Sequence, residues 1–456
     1  MKPFKGLVLA SLLAAVPVAQ AANLAEVLAL ALQSDPQLRE ADANRLAAHE
    51  SKPLARSVML PQINLGYERD WEEQDGTSRQ FAATRFIDVP FTSSADTDFL
   101  SLQLQQSVFR WEQWVALRQA DSTIAQAEAD YQTAEQGLLQ RVAQRYFDVL
   151  SARDSLDATI ATKEAVARQL EQAETRFEVG LIAITDVREA QAAYDTAAAD
   201  EIAAKRVLGT SKELLREITG EYFDELLAPG DDLPLVPPEP QNVDEWVTSS
   251  LQQNSTVISS RLAVDIAGQN IDIRRAGHYP TVDLQVGRRE FGGTIDTTTL
   301  DPVLGQQDST IPNDLTDDLI TLQVNVPIYS GGGTSARVRQ AVFQERAAKD
   351  RLDRTMRETE RLTRDSYAGV LSEMSRVGAL KKALESSETA LEATEAGFEV
   401  GTRTTVDVLI ARQNLARART VYLKSRYDYL LNVVNLKLAA GSLNGADLSE
   451  INQWLK

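Results

Sequence analysis

The sequence predicts a mainly α-helical fold with short β-strands, built from two tandem repeats. Three observations support this fold class: a motif that occurs twice, two long tracts without proline, and four segments in which polar and apolar residues alternate. We expect the first repeat to occupy residues 22–228 and the second to occupy residues 242–441. The Pro-rich residues 229–241 would link them, and residues 442–456 would form a C-terminal tail.

The duplication is clearest in a short motif near the end of each repeat. The sequence Phe-Glu-Val-Gly begins at Phe177 and again at Phe398. An Asp-Val pair follows each copy at the same distance, beginning at Asp186 and at Asp407. Because both elements recur with one constant spacing, an internal duplication explains them better than chance does.

The amino-terminal residues 1–21 are predicted to be an export signal. Lys2 and Lys5 precede the apolar residues 6–16, and the small residues that begin at Ala19 suit a signal-peptidase site. The alternative is a retained anchor helix, which needs about 20 apolar residues and therefore more than this segment offers. We expect the mature chain to leave the cytoplasm.

The composition excludes several classes of function. The formal net charge of −19 argues against nucleic-acid binding, because an acidic surface repels phosphate. The chain has no cysteine, which rules out disulfides and thiolate sites. The only histidines, His49 and His278, lie far apart in sequence, and the glycines at 331–333 lack the lysine of a phosphate loop. We therefore predict neither an enzyme nor a cofactor or metal site.

Two proline-free tracts are predicted to form long helices. No proline occurs between Pro90 and Pro229 or after Pro327, and both tracts are rich in Ala, Gln, Glu, Leu and Arg. One unbroken helix from Trp111 to Val179 would be about 100 Å long. A helix of that length must pack lengthwise against others.

Apolar residues at heptad spacing mark the packing surface of these helices. In the second repeat they are Val370, Val377, Leu384, Leu391 and Phe398. The equivalent residues of the first repeat are Val149, Leu156, Leu170 and Phe177, with Lys163 as the one polar interruption. A strict heptad repeat predicts a left-handed supercoil. An ordinary elongated coiled coil is one interpretation, and a wall of laterally packed helices, which the many alanines favour, is the other.

Four segments of alternating polarity predict β-strands near residues 61–73, 99–109, 280–290 and 318–328. Segments of about 10 residues with one apolar face are typical of transmembrane β-barrels. A half-buried sheet in a soluble protein gives the same pattern. Export and the absence of cysteine favour the membrane interpretation.

Aromatic residues at one strand end also favour a membrane location. Phe109, Trp111 and Trp114 cluster there, as aromatic residues do at membrane interfaces. We expect the polar residues 72–98 and 290–317 to form surface loops between the paired strands. Four strands cannot close a barrel, since the smallest membrane barrels use about eight. Several copies of the chain must then share one barrel.

Taken together, these features resemble the TolC family of outer-membrane channel-tunnels. The most specific stretches are residues 176–194, 279–284, 329–333 and 401–409. The resemblance implies a homotrimer in which four strands per chain form a 12-stranded β-barrel in the outer membrane of a Gram-negative cell. It also implies that a coiled-coil α-helical barrel continues this β-barrel into the periplasm and ends in a closed tip.

The resemblance also implies a function and partners. The trimer would be a non-enzymatic exit duct, in contact with outer-membrane lipid, for efflux of small molecules, type I protein secretion or both. A periplasmic adaptor (membrane fusion protein) and an inner-membrane transporter would supply substrate and energy. The alternative is a periplasmic coiled-coil adaptor or scaffold without a pore, which would not need strands with a lipid-facing side.

Four residues match the family's gate at the periplasmic tip. Asp407 matches an acidic ring at the constriction, and Arg403 matches an arginine that latches neighbouring helices through an acidic partner, here Asp186. Phe398 replaces the family's gate tyrosine and Ile410 replaces a second ring aspartate, so the resemblance implies weaker closure and weaker block by multivalent cations. The alternative role for both aspartates is helix capping.

Six residues match the tip turns where adaptors dock in this family. They are Val179, Gly180, Leu181, Val400, Gly401 and Thr402. The alternative role of these turns is helix termination, because glycine suits the left-handed position that follows many helices.

Overall fold

The computed structural model describes residues 21–82, 85–230, 233–301 and 304–456. The predicted signal peptide, residues 1–21, lies outside the described residues except for its last alanine. The described chain is mostly helical and contains one antiparallel sheet. No helix in these ranges is both long enough and apolar enough to cross a membrane.

The helices and strands follow the same order in the two halves of the chain, apart from α3, β4 and α10. The first half contains α1 (Leu24–Ser34), α2 (Pro36–His49), α3 (Ser51–Ser57), β1 (Gln62–Ala82), β2 (Arg85–Phe109), α4 (Trp111–Glu178) and α5 (Ile184–Thr219). The second half contains α6 (Val243–Gln253), α7 (Ser255–Ala276), β3 (Thr281–Asp301), β4 (Gly305–Pro312), β5 (Leu315–Asn325), α8 (Gly333–Glu399), α9 (Thr405–Ala439) and α10 (Gly445–Asn452).

Asparagine caps begin the first helix of each half. The Asn23 side chain accepts a hydrogen bond from the Glu26 N–H at 2.9 Å, and the Glu26 carboxylate accepts one from the Asn23 N–H at 3.2 Å. Asn242 likewise accepts from the Asp244 N–H at 3.0 Å. These side chains satisfy backbone donors that the first helical turn leaves free.

The chain divides into two compact units, which are described separately. Among the described residues, the helical unit comprises residues up to Arg45, those within Glu128–Ser259 and those within Asp353–Lys456, and the strand unit comprises those within Leu46–Ala127 and Ser260–Leu352.

The core of the helical unit is formed by apolar side chains of α1, α4, α9 and α10. Tyr146, Phe147 and Leu430 are almost completely buried. The ring of Phe147 stacks on that of Tyr427 at 5.7 Å between centroids. The Tyr146 hydroxyl donates to the Leu227 carbonyl at 2.6 Å, so this buried tyrosine keeps a hydrogen-bond partner.

The predicted linker forms hydrogen bonds to this core, and the predicted tail packs against it. The Tyr429 hydroxyl accepts from the Val236 N–H at 2.9 Å, and an Arg426 guanidinium nitrogen donates to the Pro229 carbonyl at 2.9 Å. Leu448 and Ile451 of the tail are buried. The described residues of the linker therefore pack on the helical unit.

The one polar residue in the heptad pattern has a partner on the returning helix. The Lys163 ammonium lies 2.8 Å from a Glu201 carboxylate oxygen, and the Lys205 ammonium lies 2.6 Å from the other oxygen. These hydrogen bonds, chiefly that from Lys163, lower the pKa of Glu201 to about 2. The interruption at Lys163 is thus an ion pair between α4 and α5.

The sheet of the strand unit is antiparallel and open at both sides. β1 pairs with β2, β2 pairs with β3, and β3 pairs with both β4 and β5 along different parts of its length. The sheet is therefore four strands wide along most of β3, and residues 77–82 and 85–90 form a two-stranded extension beyond it. Within the described chain, β1 forms one edge, and β4 and β5 form the other.

Apolar and polar residues form alternating rows across this sheet. One row consists of Ile63, Leu104, Val286 and Ile320, which are partners in the strand register. The neighbouring row consists of Gln62, Gln105, Gln285 and Thr321. Because side chains of successive residues point to opposite faces, one face is apolar and the other polar at this level.

The strands are longer than the sequence analysis predicts. β1 and β2 continue to Ala82 and Arg85 through residues expected to form a loop, and β3 and β4 do the same in residues 290–317. Polar cross-strand pairs stabilise these extensions. Arg79 binds Asp88 at 2.8 and 3.3 Å, for example. Charged and polar residues of this kind interrupt the two-residue pattern that marks the inner strands.

The last predicted strand is displaced towards the amino terminus. The prediction covered residues 318–328, whereas β5 begins at Leu315 and ends at Asn325. Pro327 has no N–H to donate to a strand ladder, which explains why pairing stops before it.

Candidate functional site

The candidate site lies at two helix turns of the helical unit, one between α4 and α5 and one between α8 and α9. We call them the first turn (residues 179–183) and the second turn (residues 400–404). In the first turn, Gly180 has a φ of 75°. The Gly180 N–H donates to the Phe177 carbonyl at 2.9 Å, and the Leu181 N–H donates to the Arg176 carbonyl at 2.9 Å. This pair of bonds is a Schellman motif, which terminates the helix.

The second turn repeats that backbone geometry. Gly401 has a φ of 77°, and its N–H donates to the Phe398 carbonyl at 3.1 Å. The Thr402 N–H donates to the Gly397 carbonyl at 2.8 Å, and the Thr402 hydroxyl donates to the same oxygen at 3.0 Å. Helix termination is therefore a role of both glycines, and it leaves their other predicted role open.

Asp407 caps the helix that follows the second turn. Its carboxylate accepts hydrogen bonds at 2.8 Å from both the N–H and the hydroxyl of Thr404, and its own N–H donates to that hydroxyl oxygen at 3.2 Å. The hydrogen bonds from Thr404 lower the pKa of Asp407 below its ordinary value. One carboxylate oxygen is thus engaged locally in each chain.

Asp186 occupies the matching position after the first turn but lacks this arrangement. The N-cap residue is Ala183, which has no side-chain oxygen to offer. Within the described chain, the Asp186 carboxylate forms no hydrogen bond or ion pair, and the residue is exposed. It still lies in the first turn of α5, where the helix macrodipole favours a negative charge.

Arg403 does not meet Asp186 within one chain. Among the residues that the structure describes, Arg403 forms no salt bridge; its N–H donates to the Gly397 carbonyl at 3.2 Å.

Phe398 has a partner that the sequence analysis did not identify. The Arg176 guanidinium carbon lies 5.3 Å from the centroid of the Phe398 ring, a cation–π distance. Arg176 is in the last turn of α4 and Phe398 is in the last turn of α8, so this contact joins the two helical hairpins. No spacing rule connects residues so far apart in sequence, although Phe398 begins the second copy of the duplicated motif and Arg176 directly precedes the first copy.

The tips of both turns are apolar and exposed. Val179, Leu181 and Val400 are 66%, 73% and 75% exposed, respectively. Isolated exposed apolar residues are common on protein surfaces, but here several of them lie in two turns that share one backbone geometry.

A cavity of about 390 Å³, which we call the tip pocket, lies between α4, α5 and the beginning of α9. Its apolar lining includes Val166, Ala173, Ile182, Ala190, Val406 and Leu409. Its charged lining consists of Arg176, Asp186 and Glu189. The pocket brings Asp186 together with residues of α9, although not with Asp407 itself.

The described residues contain no cluster of three or more histidine, cysteine, aspartate or glutamate side chains that could hold a metal ion. Hydrogen bonds at the second turn hold the Asp407 carboxylate in place, and the contact between Arg176 and Phe398 joins the two hairpins. Both interactions are electrostatic.

Comparison with known proteins identifies the family. The model of the family described as outer membrane efflux protein matches residues 27–221 and again residues 246–442. The chain belongs to the outer membrane efflux protein family. The resemblance to the TolC family seen in the sequence and the predicted location in the Gram-negative outer membrane are both confirmed.

Members of this family resemble the chain over nearly its whole length. The outer membrane protein TolC of Vibrio cholerae is 36% identical over 440 residues, which are 96% of this chain and 94% of that protein. The alkaline protease secretion protein AprF of Pseudomonas aeruginosa is 28% identical, over 92% of this chain and 84% of that one.

Solved structures of outer-membrane efflux proteins have the same fold. A crystal structure of CusC, described as showing transmembrane channel formation, superposes with a TM-score of 0.70 at 18% identity and covers 92% of both chains. At that identity the likeness establishes the fold, and it supports the predicted mainly helical architecture with a sheet.

Proposed function

We propose that this chain is the exit duct of an outer-membrane efflux or secretion pathway. Three copies would contribute four strands each to a 12-stranded barrel, and their long helices would continue the duct into the periplasm. The TolC and AprF relatives support this assignment. A periplasmic adaptor and an inner-membrane transporter would deliver substrate to the duct and energise it.

The observation that carries the proposal is the open sheet of the strand unit. Its two edges leave backbone N–H and C=O groups unpaired, which lipid cannot satisfy. Pairing β1 of one copy with β5 of the next would satisfy them. The exposed apolar side chains on alternate residues of β1, with Ile63, Leu65 and Tyr67 each more than 60% exposed, would then face lipid.

The gate of this duct would lie at the two turns. Three Asp407 carboxylates around one axis would attract cations and repel anions. Arg403 of one copy would pair with Asp186 of its neighbour, a pair of exposed charges that is weak enough to break when an adaptor binds. The exposed residues of both turns, Val179 and Val400 among them, would form the docking surface.

The contact between Arg176 and Phe398 would help to keep this gate closed. It joins the two hairpins of one chain without a hydroxyl group, so the replacement of a gate tyrosine by Phe398 need not leave the closed state unsupported. A cation–π contact at an exposed site contributes about 0.5–1 kcal/mol.

Two substitutions on β1 distinguish a membrane duct from a soluble scaffold. Leu65→Arg places a charge on the proposed lipid face, which costs about 2–4 kcal/mol near the bilayer centre, whereas Asn64→Arg places it on the opposite face. Purified wild type and Asn64→Arg should appear as trimers by native mass spectrometry in detergent, and each should give discrete current steps in a planar bilayer. Leu65→Arg should insert poorly.

A scaffold without a pore would behave differently. Extraction of the wild-type protein by buffer as a monomer, or equal tolerance of both arginines, would contradict the proposed duct.

A further inference from the structure

We propose that β5 of one copy pairs with β1 of the next in one defined register, with Val324 opposite Tyr67 of the neighbouring copy. We call this contact between copies the outer seam, and the contact between β2 and β3 within one chain the inner seam. The register rests on the proposed function, because it concerns copies that share one barrel. It goes beyond that proposal by naming the residues that meet.

The strand pairs of the two halves are equivalent residue by residue. In the first half Ile63 lies opposite Leu104, and in the second half Val282 lies opposite Val324. Val282 follows Ile63 by 219 residues, and Val324 follows Leu104 by 220 residues. The same two offsets relate every pair between β3 and β5 to a pair between β1 and β2. The duplication is therefore preserved in the register of the strands.

The inner seam shows how two successive repeats join. It pairs the last strand of the first repeat, β2, with the first strand of the second repeat, β3. Leu104 lies opposite Val286 there, and Leu102 lies opposite Arg288. The outer seam is a contact of the same kind, since it joins the last strand of the second repeat to the first strand of a first repeat.

The two offsets transfer the inner register to the outer seam. They place Val324 opposite Tyr67, and Leu322 opposite Arg69, of the neighbouring copy. The leucine–arginine pair of the inner seam is thus repeated with identical residues at the outer seam. In this register β5 pairs along its whole length with residues 66–76 of β1.

Alternative registers lose one or both of these matches. Tyr67, Leu322 and Val324 are each more than half exposed within the chain, and the proposed register brings all three onto one apolar face. A shift by one residue would place Val324 opposite the polar face of β1. A shift by two residues keeps the faces but places Leu322 opposite Tyr67 or Trp71, so the repeated pair with arginine is lost.

Cysteine pairs test this register directly, because the chain has no cysteine of its own. Gln323→Cys is combined with Glu68→Cys, which lies opposite it in the proposed register. The matched controls combine Gln323→Cys with Gly66→Cys or with Asp70→Cys, two residues to either side. Detergent-solubilised protein is oxidised with copper phenanthroline and separated on a denaturing gel without reductant. Each chain carries one cysteine at either edge, so pairing in register links three copies covalently.

The expected yields follow from the distances between side chains. Cβ atoms of residues directly opposite each other are about 5 Å apart, whereas those of diagonal neighbours are about 7–8 Å apart, which is too far for a disulfide. The pair with Glu68→Cys should therefore give about 5-fold more covalent trimer than either control pair. The single variants Gln323→Cys and Glu68→Cys should give none.

A second series uses the opposite face of the sheet. Val324→Cys is combined with Tyr67→Cys, and the controls are Leu65→Cys and Arg69→Cys. Hydrogen-bonded and non-hydrogen-bonded pairs alternate along antiparallel strands, so one of the two series has the closer side chains. This series also provides the answer if the variants of the first do not assemble.

The register is overturned if the yield is highest at a control pair or if neither series gives covalent trimer. Native mass spectrometry of the unoxidised wild type distinguishes this result from a failure of the proposed duct. A wild-type trimer whose yields are highest at a control pair contradicts the register alone. A wild-type monomer contradicts the duct as well.

Discussion

The first and second turns have the same backbone but use their aspartates differently. Gly180 and Gly401 have φ values of 75° and 77°, and each closes a Schellman motif. After the second turn, Thr404 holds the Asp407 carboxylate in a capping box. After the first turn, Ala183 stands where Thr404 stands, and Asp186 has no such partner.

This difference shows how a duplicated motif can acquire two roles. Backbone hydrogen bonds and glycine fix the turn in both copies, so helix termination needs nothing from the aspartates. A single N-cap side chain then decides whether the aspartate is engaged within its own helix or available to another group. On this account, Asp186 is the carboxylate suited to a breakable contact between copies, and Asp407 is held at a defined position.

The largest predicted effect concerns Phe398 and Phe177, the two phenylalanines of the duplicated motif. Phe398 contacts Arg176, whereas Phe177 is exposed. Phe398→Ala removes the contact with Arg176 and about half the burial of a phenylalanine ring, together about 2 kcal/mol. If only the closed tip makes this contact, the opening equilibrium should rise about 25-fold, measured as open probability in single-channel records. The matched variant Phe177→Ala, at the exposed equivalent position, should change it far less. Equal effects would mean that the contact with Arg176 does not hold the gate.

A smaller effect is expected from exchanging the N-cap residues. Thr404→Ala removes the capping box and should destabilise the first turn of α9 by about 1 kcal/mol. Ala183→Thr should create the same box with Asp186 and stabilise the first turn of α5 by a similar amount. Hydrogen exchange with mass spectrometry measures both changes in stability. Protection of the first turn should fall about 5-fold in Thr404→Ala and rise about 5-fold in Ala183→Thr. No gain in Ala183→Thr would show that the two turns differ in more than this one side chain.

The smallest predicted effect is a dependence of the stability of the first turn of α9 on pH. Hydrogen bonds from Thr404 lower the pKa of Asp407 below its ordinary value of 3.8, so their stabilisation is fully present above that value. It is lost as the pH falls through the lowered pKa. Protection of the first turn of α9, corrected for intrinsic exchange, should therefore fall on acidification from pH 5 in the wild type. Thr404→Ala has no such contribution to lose, and an identical acid response in both proteins would contradict the assignment.

Much of the fold is predictable from local patterns. Proline-free tracts with heptad apolar residues predict α4 and α8, and alternation predicts the inner parts of β1, β2, β3 and β5. The outer parts of these strands could not be found in that way. They are stabilised by pairs such as Arg79 with Asp88, which bring together charged residues that resemble a surface loop when the sequence is considered alone.

The candidate site was predictable only in part. The glycines and aspartates of the turns stand out because the motif occurs twice. The pairing of Arg176 with Phe398 does not, because the two residues belong to different repeats and meet only after both hairpins fold. Lys163 is a similar case, since its partner Glu201 lies on the returning helix. Contacts between elements follow from tertiary packing, which a single sequence does not encode in any local pattern.

The most direct test of the proposed duct is the reversal potential of single channels under a potassium chloride gradient. The measurement compares the wild type with Asp407→Asn, and with Asp200→Asn as a control at an exposed position of α5. The account predicts a cation-selective pore in the wild type and in the control, and a clear loss of selectivity in Asp407→Asn. A pore of unchanged selectivity in Asp407→Asn would contradict the assigned constriction, and the absence of any current would contradict the duct itself.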